Sequence, residues 1–264
     1  MSLVSVFMYH HVSPHKGDMI TVTPDVFEAQ MRFLAESGYK TLSAGEIVSY
    51  ADGKNTVSGK AAAITFDDGY LDNYVHAFPV LKKYNIKATI FIVTDWVEKS
   101  SEFVEAYGHT PLLPNHNECK RLINEGKISE VIMNWDMIKE MQKSGLTDFY
   151  SHTMSHRKCA ELSYEDLRKE LNNSKTVIEE KLRKPCPYLC WPKGSYNDLS
   201  VKAAQDVGYT ALFTTKKGVV KKGSDRFSIE RIAMKDNVGW FKSRVRIYTN
   251  PILSKLYLSV RSNG

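Results

Sequence analysis

The stretch Ala61 to Gly69, with the sequence AAAITFDDG, decides the fold class of this chain. Its first six residues form an uninterrupted apolar run of strand length, which is typical of a strand buried on both faces. The run ends abruptly in Asp67, Asp68 and a glycine. Functional side chains gather at the carboxyl ends of strands in parallel β/α proteins. The stretch therefore predicts a buried parallel strand that presents two carboxylates at a functional edge.

Strands and helices alternate on both sides of this strand. Thr23-Pro24 and the pair Ser43 and Glu46 are helix-start signals, an N-cap followed by proline and a capping box. Apolar runs predict strands, and capping residues followed by helical periodicity predict helices. The strands are predicted at 4–9, 61–66, 88–93, 147–151, 187–191 and 209–214, and helices begin near 24, 43, 71, 134, 163 and 198. This alternation indicates an α/β fold with a largely parallel sheet, either open or closed into a barrel.

The chain shows no internal repeat and no convincing domain boundary, so we predict one domain over residues 1–264. Hydrophobic residues make up 42% and charged residues 25% of the sequence, the balance of an ordinary globular protein. Two segments depart from the β/α alternation. Residues 97–132 are polar and contain two prolines, which indicates an insertion over one face. Residues 240–264 form a basic and aromatic tail.

Charge and hydropathy exclude some classes of function. The net charge of +6 is spread along the chain without a recognition motif, so we expect no nucleic-acid partner. The charge is compatible with an anionic glycan or with peripheral association at a membrane or cell envelope, and the oligomeric state is not indicated. No run of 18 apolar residues predicts a membrane-spanning helix. The four cysteines form no CxxC pair, and we expect reduced thiols.

The compartment is left open by the N-terminal residues. Met1 to Tyr9 is apolar but short, and it lacks the basic region and cleavage site of a signal peptide. Two alternatives therefore stay open, a cytoplasmic enzyme and a secreted or envelope enzyme whose signal has been removed.

His152 and His156 follow another predicted strand. Their spacing of four would place both imidazoles on one face of a helical turn. Two histidines and one carboxylate make a metal site with open positions for water, which suits hydrolysis. Taken singly, the Asp-Asp-Gly stretch also suits a turn, and a His-x3-His spacing is often incidental. Both follow buried strands here, which favours a shared functional site.

Three sequence motifs carry a resemblance to a known family. The stretches 65–69 (TFDDG), 151–156 (SHTMSH) and 191–197 (WPKGSYN) resemble the motifs of the polysaccharide deacetylases, carbohydrate esterase family 4 or NodB-homology domain. The resemblance covers about residues 3 to 235. It implies a distorted (β/α) barrel of mainly parallel strands. It also implies a metal-dependent hydrolase of linear amide bonds that removes acetyl groups from the N-acetylated sugars of a glycan or glycan precursor.

The resemblance also implies a role for individual residues. Asp68, His152 and His156 match ligands of one divalent metal ion, for which zinc is the first expectation and cobalt, nickel or iron would suit the same ligands. Asp67 matches the general base, and the backbone N–H of Lys193 matches an oxyanion donor. Aromatic side chains that could contact sugar faces or equally pack in the core are Tyr70, Trp96, Trp191 and Tyr196.

Two departures from the family pattern matter. Many members carry an arginine in the third motif that orients the base, but residues 189–191 here read Leu-Cys-Trp. Many members also have a histidine acid near the C-terminus, whereas no histidine follows His156. The Tyr9-His10 pair matches a subgroup resembling biofilm poly-N-acetylglucosamine deacetylases, so we predict His10 as the general acid, with His11 as its less favoured neighbour. His109 and His116, in the insertion, are candidates for a substrate groove.

Two other functions stay open at this point. A hydrolase of the same fold could act on a non-sugar amide or a cyclic imide. A catalytically inactive glycan-binding module would also fit the missing arginine. Asp67 argues against the inactive module, because a protein that only binds glycan has no need of a base.

Overall fold

An eight-stranded parallel sheet forms the centre of the fold. The computed structural model describes residues 2–102, 113–249 and 253–254. The strands of these residues are β1 (Ser5–Tyr9), β2 (His11–Val12), β3 (Thr21–Val22), β4 (Lys40–Thr41), β5 (Ala61–Phe66), β6 (Ala88–Ile92), β7 (Thr147–Ser151), β8 (Tyr188–Cys190), β9 (Ala211–Phe213) and β10 (Ile232–Ala233). β2 and β3 form a separate pair.

The strand order of the main sheet is β10-β1-β5-β6-β7-β8-β9, with β4 paired beside β5. Every strand pair in it is parallel. β5 lies near the middle, where Ile64 pairs with Phe7 of β1 and Ala88 of β6, and all six of its residues are buried. The sheet curls into a half-barrel, which confirms the α/β fold with a distorted (β/α) barrel.

Residues 229–233 join the two edges of the curled sheet. On one side, Ile229 N–H donates to the carbonyl of Leu212 at 2.9 Å, and Arg231 N–H donates to the carbonyl of Lys216 at 2.8 Å. On the other side, Ile232 in β10 pairs with Phe7 in β1. This short segment therefore runs between β9 and β1 of the curled sheet. The apolar periodicity of the sequence did not predict it.

Helices surround the sheet. Those of the described residues are α1 (Pro24–Glu36), α2 (Ala44–Ala51), α3 (Phe78–Tyr84), α4 (Thr94–Glu102), α5 (His116–Asn124), α6 (Trp135–Lys143), α7 (Tyr164–Leu182), α8 (Asp198–Asp206) and α9 (Val238–Thr249). The capping box predicted from Ser43 and Glu46 is confirmed at the start of α2. The helix predicted from residue 71 contains a π-helical segment over Asn73–Ala77 and continues as α3. No helix in the described ranges has the length and apolarity needed to cross a bilayer.

The insertion and the tail contain regular structure that the sequence did not predict. α4 and α5 lie within or beside residues 97–132, and α5 begins where the side chain of Asn115 accepts the N–H of Glu118. His109 lies outside the described residues. In the tail, α9 buries Phe241, Val245 and Tyr248 against the core. The polar composition was misleading because a short helix needs only one apolar stripe to pack.

Buried hydrogen bonds hold the end of β1 in place. The hydroxyl of Tyr9 donates to Oε1 of Gln30 at 2.7 Å, and Nε2 of Gln30 donates to the carbonyl of Lys235 at 3.1 Å. Tyr9 and Gln30 are both almost fully buried. An unpartnered polar atom at this depth is costly, so these bonds fix the position at which β1 ends.

The variant Tyr9→Phe tests this anchor. It leaves the buried Oε1 of Gln30 without its donor, and we expect the free energy of unfolding to fall by about 1–3 kcal/mol. The measurement is urea or thermal unfolding followed by circular dichroism. Tyr84→Phe is the control, because the Tyr84 hydroxyl bonds to Glu28 in a less buried setting. Equal effects of the two variants would contradict the anchoring role of Tyr9.

Candidate active site

A cavity of about 510 Å³ opens at the carboxyl ends of the central strands. Sequence-predicted residues from four strand ends line it, and they are His10 after β1, Asp67 and Asp68 after β5, His152 and His156 after β7, and Lys193 after β8. The parallel topology brings these residues together although up to 183 positions separate them in the chain (193 − 10). The site therefore follows the rule for parallel β/α proteins.

The two aspartates diverge because the backbone turns sharply between them. Asp67 continues the line of β5, and its N–H donates to the carbonyl of Tyr9 at 3.1 Å. Asp68 and Gly69 both adopt left-handed backbone conformations, with φ of 74° and 82°. A Cβ at residue 69 would lie 3.1 Å from the side chain of Ile92, so the close approach to β6 favours glycine. Adjacent carboxylates can consequently serve different roles.

His152 and His156 lie on a loop, and the expectation of a helical turn is wrong. The segment after β7 consists of bends, and Thr153 and His156 have φ of 68° and 61°, which no α-helix permits. The carboxylate of Glu170 accepts the backbone N–H of Ser155 at 2.6 Å and so holds the loop on α7. The two imidazoles still converge, because this loop folds back over the cavity.

Asp68, His152 and His156 form a cluster that suits a metal ion. Nε2 of His152 lies 3.4 Å and Nε2 of His156 lies 3.1 Å from Oδ1 of Asp68. That oxygen is buried and has no hydrogen-bond donor of good geometry. Burial alone would raise the pKa of the Asp68 carboxyl, but the two imidazoles hold it well below its usual value. Two nitrogens and one carboxylate are the donor set of Zn²⁺ and similar ions.

A second contact fixes the tautomer of His152. Its Nδ1 lies 2.9 Å from the carbonyl of Cys190, which can only accept a hydrogen bond. Nδ1 therefore carries a proton, which leaves Nε2 as the ring nitrogen that can bind a metal ion beside Asp68. Metal-binding histidines commonly have such a partner behind them. The surroundings of the cluster thus fit a bound ion as well as its three donors do.

A neighbouring cluster of Asp67, His152 and Cys190 fits a metal less well. Both oxygens of Asp67 already accept hydrogen bonds from Arg231. Burial raises the pKa of the Cys190 thiol, which opposes the thiolate that a metal requires. We therefore assign the candidate metal site to Asp68, His152 and His156.

Arg231 is the functional residue that sequence reasoning missed. Its Nη1 and Nη2 each donate to one oxygen of Asp67 at 2.7 Å, in a two-pronged ion pair that is almost fully buried. Its Nε donates to the carbonyl of Thr214 at 2.8 Å, and its remaining contacts are Thr65 Oγ1 at 3.1 Å and Cys190 Sγ at 2.9 Å. The arginine absent from the third motif thus has a counterpart on the segment that joins β9 to β1.

The ion pair sets the charge state of Asp67. Burial alone would raise the pKa of this carboxyl, but the guanidinium of Arg231 outweighs burial and lowers the pKa. Asp67 is consequently ionised at neutral pH and oriented by two hydrogen bonds. Arg231 lies 164 positions away in the chain, and its one local signal is a pair of charged residues, Glu230 and Arg231, between the apolar residues Ile229 and Ile232.

The structure separates the neighbouring histidines His10 and His11. His10 lines the cavity, and its Nε2 lies 3.9 Å from Oδ2 of Asp67. Burial lowers the pKa of His10, and the nearby aspartates only partly offset this. The His11 ring is buried and bonds to Asp72, away from Asp67. Of the two candidates for the acid, His10 is therefore the one beside the predicted base.

The third motif contributes Lys193 to the cavity but not its aromatic residues. Lys193 has a left-handed φ of 57°, and Gly194 must follow it because a Cβ there would collide with Thr215. Trp191 is fully buried and stacks on Tyr196 at 5.6 Å between ring centroids. Neither ring lines the cavity, so both support the loop from behind. Among the four aromatic candidates, Tyr70 and Trp96 do line it.

His156→Ala tests the candidate metal site. Partners behind a ligand already change metal affinity by about 10–100-fold, so we expect loss of a direct ligand to lower affinity by at least about 100-fold. The measurement is elemental analysis after loading with Zn²⁺ and dialysis. His76→Ala is the matched control, because His76 is half-buried outside the cavity. One equivalent of metal retained by His156→Ala would exclude His156 as a ligand.

Known proteins are similar to this chain over most of its length. YxkH of Bacillus subtilis (strain 168) is 30% identical over 227 residues, which cover 86% of this chain and 70% of YxkH. The poly-beta-1,6-N-acetyl-D-glucosamine N-deacetylase of Staphylococcus aureus (strain MSSA476) is 27% identical over 244 residues, covering 88% of this chain and 73% of that protein.

Solved structures share the fold. The Streptococcus pyogenes deacetylase PplD, solved in complex with acetate, superimposes with a TM-score of 0.77 at 24% identity and covers 94% of this chain and 99% of that one. The sequence model of the polysaccharide deacetylase family matches residues 54–212, which include Asp67, Asp68, His152 and His156. The chain belongs to the polysaccharide deacetylase family.

Proposed function

We propose that this protein is a metal-dependent N-deacetylase that removes acetyl groups from N-acetylglucosamine residues of a glycan. The observation that carries the proposal is the pairing of an ionised, Arg231-bound Asp67 with a two-histidine, one-carboxylate cluster in the same cavity. A binding module would have no use for a base held in this way. The N-deacetylase named among the relatives acts on poly-β-1,6-N-acetylglucosamine, and this supports that class of substrate.

Asp68, His152 and His156 would hold the ion. When bound, such an ion polarises the acetyl carbonyl and lowers the pKa of a water molecule. Zinc is the first candidate, with cobalt, nickel or iron as alternatives. The carbonyl of Cys190 keeps His152 in the tautomer that binds, and Asp68 is ionised in its buried position.

Asp67 would accept the proton of the attacking water. A general base must be ionised before the reaction and correctly aimed, and the two hydrogen bonds from Arg231 provide both conditions. Asp67 is too firmly paired with Arg231 to be a fourth ligand. The backbone turns at Asp68, so the two adjacent aspartates can take different roles, Asp67 as the base and Asp68 as a metal ligand.

His10 and Lys193 would complete the reaction. The departing sugar amine needs a proton, and His10 would donate it as the general acid. Nε2 of His10 lies 3.9 Å from Oδ2 of Asp67. A proton that Asp67 accepts from water could therefore be passed to the nearby His10. The backbone N–H of Lys193, at the cavity wall, would donate to the oxyanion of the tetrahedral intermediate.

The acetate-release assay tests the proposal. We expect the zinc- or cobalt-loaded protein to release acetate from N-acetylglucosamine oligomers, and chelation to abolish the release. Asp67→Asn should lower kcat by at least about 100-fold, and His10→Ala by a similar factor, because general acid–base groups contribute about 10²–10⁴-fold each. Both variants should retain the metal, since neither side chain is assigned as a ligand.

Other results would redirect the assignment. Metal-dependent hydrolysis of a non-sugar amide or cyclic imide, without acetate from oligomers, would identify a different hydrolase of the same fold. Glycan binding without turnover of any amide would identify an inactive module. Near-normal turnover by Asp67→Asn would remove Asp67 as the base.

The variant Arg231→Lys tests how the base is tuned. Arg231 lowers the pKa of Asp67, so loss of its two-pronged contact should raise that pKa. A base with a higher pKa stays protonated to a higher pH, and the acid limb of kcat/KM should therefore move to higher pH. Lysine keeps a positive charge, which limits the cost of about 3–5 kcal/mol expected when one partner of a buried pair is removed. An unshifted acid limb in a folded variant would contradict this role of Arg231.

A further inference from the structure

A hydrogen-bonded chain leads from the interior of the molecule to the cavity wall, and the proposed reaction does not use it. It consists of Asp72, His11 and His116. Oδ2 of Asp72 lies 2.6 Å from Nδ1 of His11, and Nε2 of His11 lies 3.1 Å from Nδ1 of His116. His116 lines the same cavity as the metal cluster.

The inner part of this chain is rigidly held. Asp72 and His11 are 3% and 1% exposed. The other carboxylate oxygen of Asp72 accepts hydrogen bonds from Asn73 Nδ2 at 2.7 Å and from the N–H of Val12 at 3.3 Å. The His11 ring stacks on Tyr70 with 3.7 Å between centroids. With both ring nitrogens of His11 engaged, its ring has one orientation, and that orientation directs Nε2 at His116.

His116 is the outer end of the chain. Its Nδ1 is occupied by His11, so Nε2 is the ring nitrogen left for a ligand, and this atom has no partner among the described residues. Burial opposes the charge on His11, but the Asp72 carboxylate outweighs it and raises the pKa of His11. Burial and the nearby His11 and Lys120 lower the pKa of His116 to about 4. This balance favours a charged His11 that donates to a neutral His116, whose Nε2–H then faces a ligand.

Helix α5 presents further polar residues on the same face. His116, Lys120 and Asn124 are four positions apart, so they lie one above another, and all three line the cavity. At 1.5 Å per residue they span about 12 Å, which is longer than a single pyranose ring. The metal cluster lines the same cavity from the strand ends. The cavity is therefore lined on one side by the candidate metal site and on another by the polar face of α5.

We propose that α5 is a glycan-binding wall and that His116, positioned by His11 and Asp72, hydrogen-bonds a hydroxyl of the sugar chain and selects glycans over simple acetyl compounds. The inference rests on the proposed deacetylase function and adds the determinant of its substrate class. A sugar hydroxyl both donates and accepts, so it suits a fixed imidazole nitrogen. A positioned polar group in a cavity also discriminates strongly against substrates that leave it unpaired.

The experiment compares two substrates on the metal-loaded enzyme. One is a β-1,6-linked N-acetylglucosamine tetramer, and the other is 4-nitrophenyl acetate, which carries an acetyl group but no sugar. We expect His116→Ala to lower the ratio of kcat/KM for the tetramer to kcat/KM for the aryl acetate by at least about tenfold, mainly through KM. His116→Gln should recover part of the ratio, because glutamine can still donate and accept. His76→Ala, outside the cavity, should leave the ratio unchanged.

A double-mutant cycle tests the positioning role of His11. His11→Phe keeps the ring stacked on Tyr70 but removes both hydrogen bonds. It should lower the substrate ratio in the wild-type background and have no further effect in His116→Ala, because His11 acts through His116. If His11→Phe does not fold, Asp72→Asn replaces it in the same cycle. Additive effects of the two substitutions would overturn the positioning role.

The outcomes separate this inference from the proposed function. A wild-type enzyme that hydrolyses aryl acetate but releases no acetate from the tetramer would overturn both. A wild-type enzyme active on the tetramer, with an unchanged substrate ratio in His116→Ala, would overturn the glycan-binding wall and leave the deacetylase assignment standing.

Discussion

The buried ion pair between Asp67 and Arg231 is the constraint on which the rest of the structure depends. Two charges removed from water are costly unless geometry and additional hydrogen bonds compensate them. Here both carboxylate oxygens are engaged, and the guanidinium also reaches Thr65, Cys190 and the carbonyl of Thr214. These partners belong to β5, β8 and the end of β9. The pair can therefore exist only when the sheet has curled and residues 229–233 have joined its edges.

This dependence explains why Asp67, the proposed base, is oriented by Arg231 only in the folded protein. In an unfolded chain Asp67 has no arginine within reach, and its neighbour Asp68 would oppose its ionisation. Folding brings Arg231 from a distant part of the sequence, lowers the pKa of Asp67 and fixes the direction of its oxygens. The separate cluster of Asp68, His152 and His156 is then free to hold a metal. The fold and the proposed catalytic arrangement are therefore completed together at this end of the barrel.

The sequence predicted the parts of the fold that local patterns encode. The apolar run at 61–66 matches β5 residue for residue, because a strand buried on both faces leaves an uninterrupted apolar signal. The strand predicted near 147–151 matches β7, although its sequence TDFYS mixes polar and apolar residues. The convergence of the aspartates and histidines could be expected from their positions after strands. Arg231 could not, since its role arises from a contact 164 residues away, and the loop carrying His152 and His156 depends on left-handed residues that no periodicity marks. α5 was hidden by its polarity, although that polarity is what suits it to a wall facing solvent and ligand.

The adjacent residues His10 and His11 have a consequence for how this protein can vary. They follow β1, and successive side chains along a strand point in opposite directions. His10 therefore faces Asp67, and His11 faces His116 on α5. In the proposed roles, substitution of His10 would affect the general acid, and substitution of His11 would affect the glycan-binding wall. An insertion or deletion of a single residue in β1 would instead exchange the two directions and disturb both together. Among related sequences, the strand before these histidines should therefore vary in composition while its length stays constant.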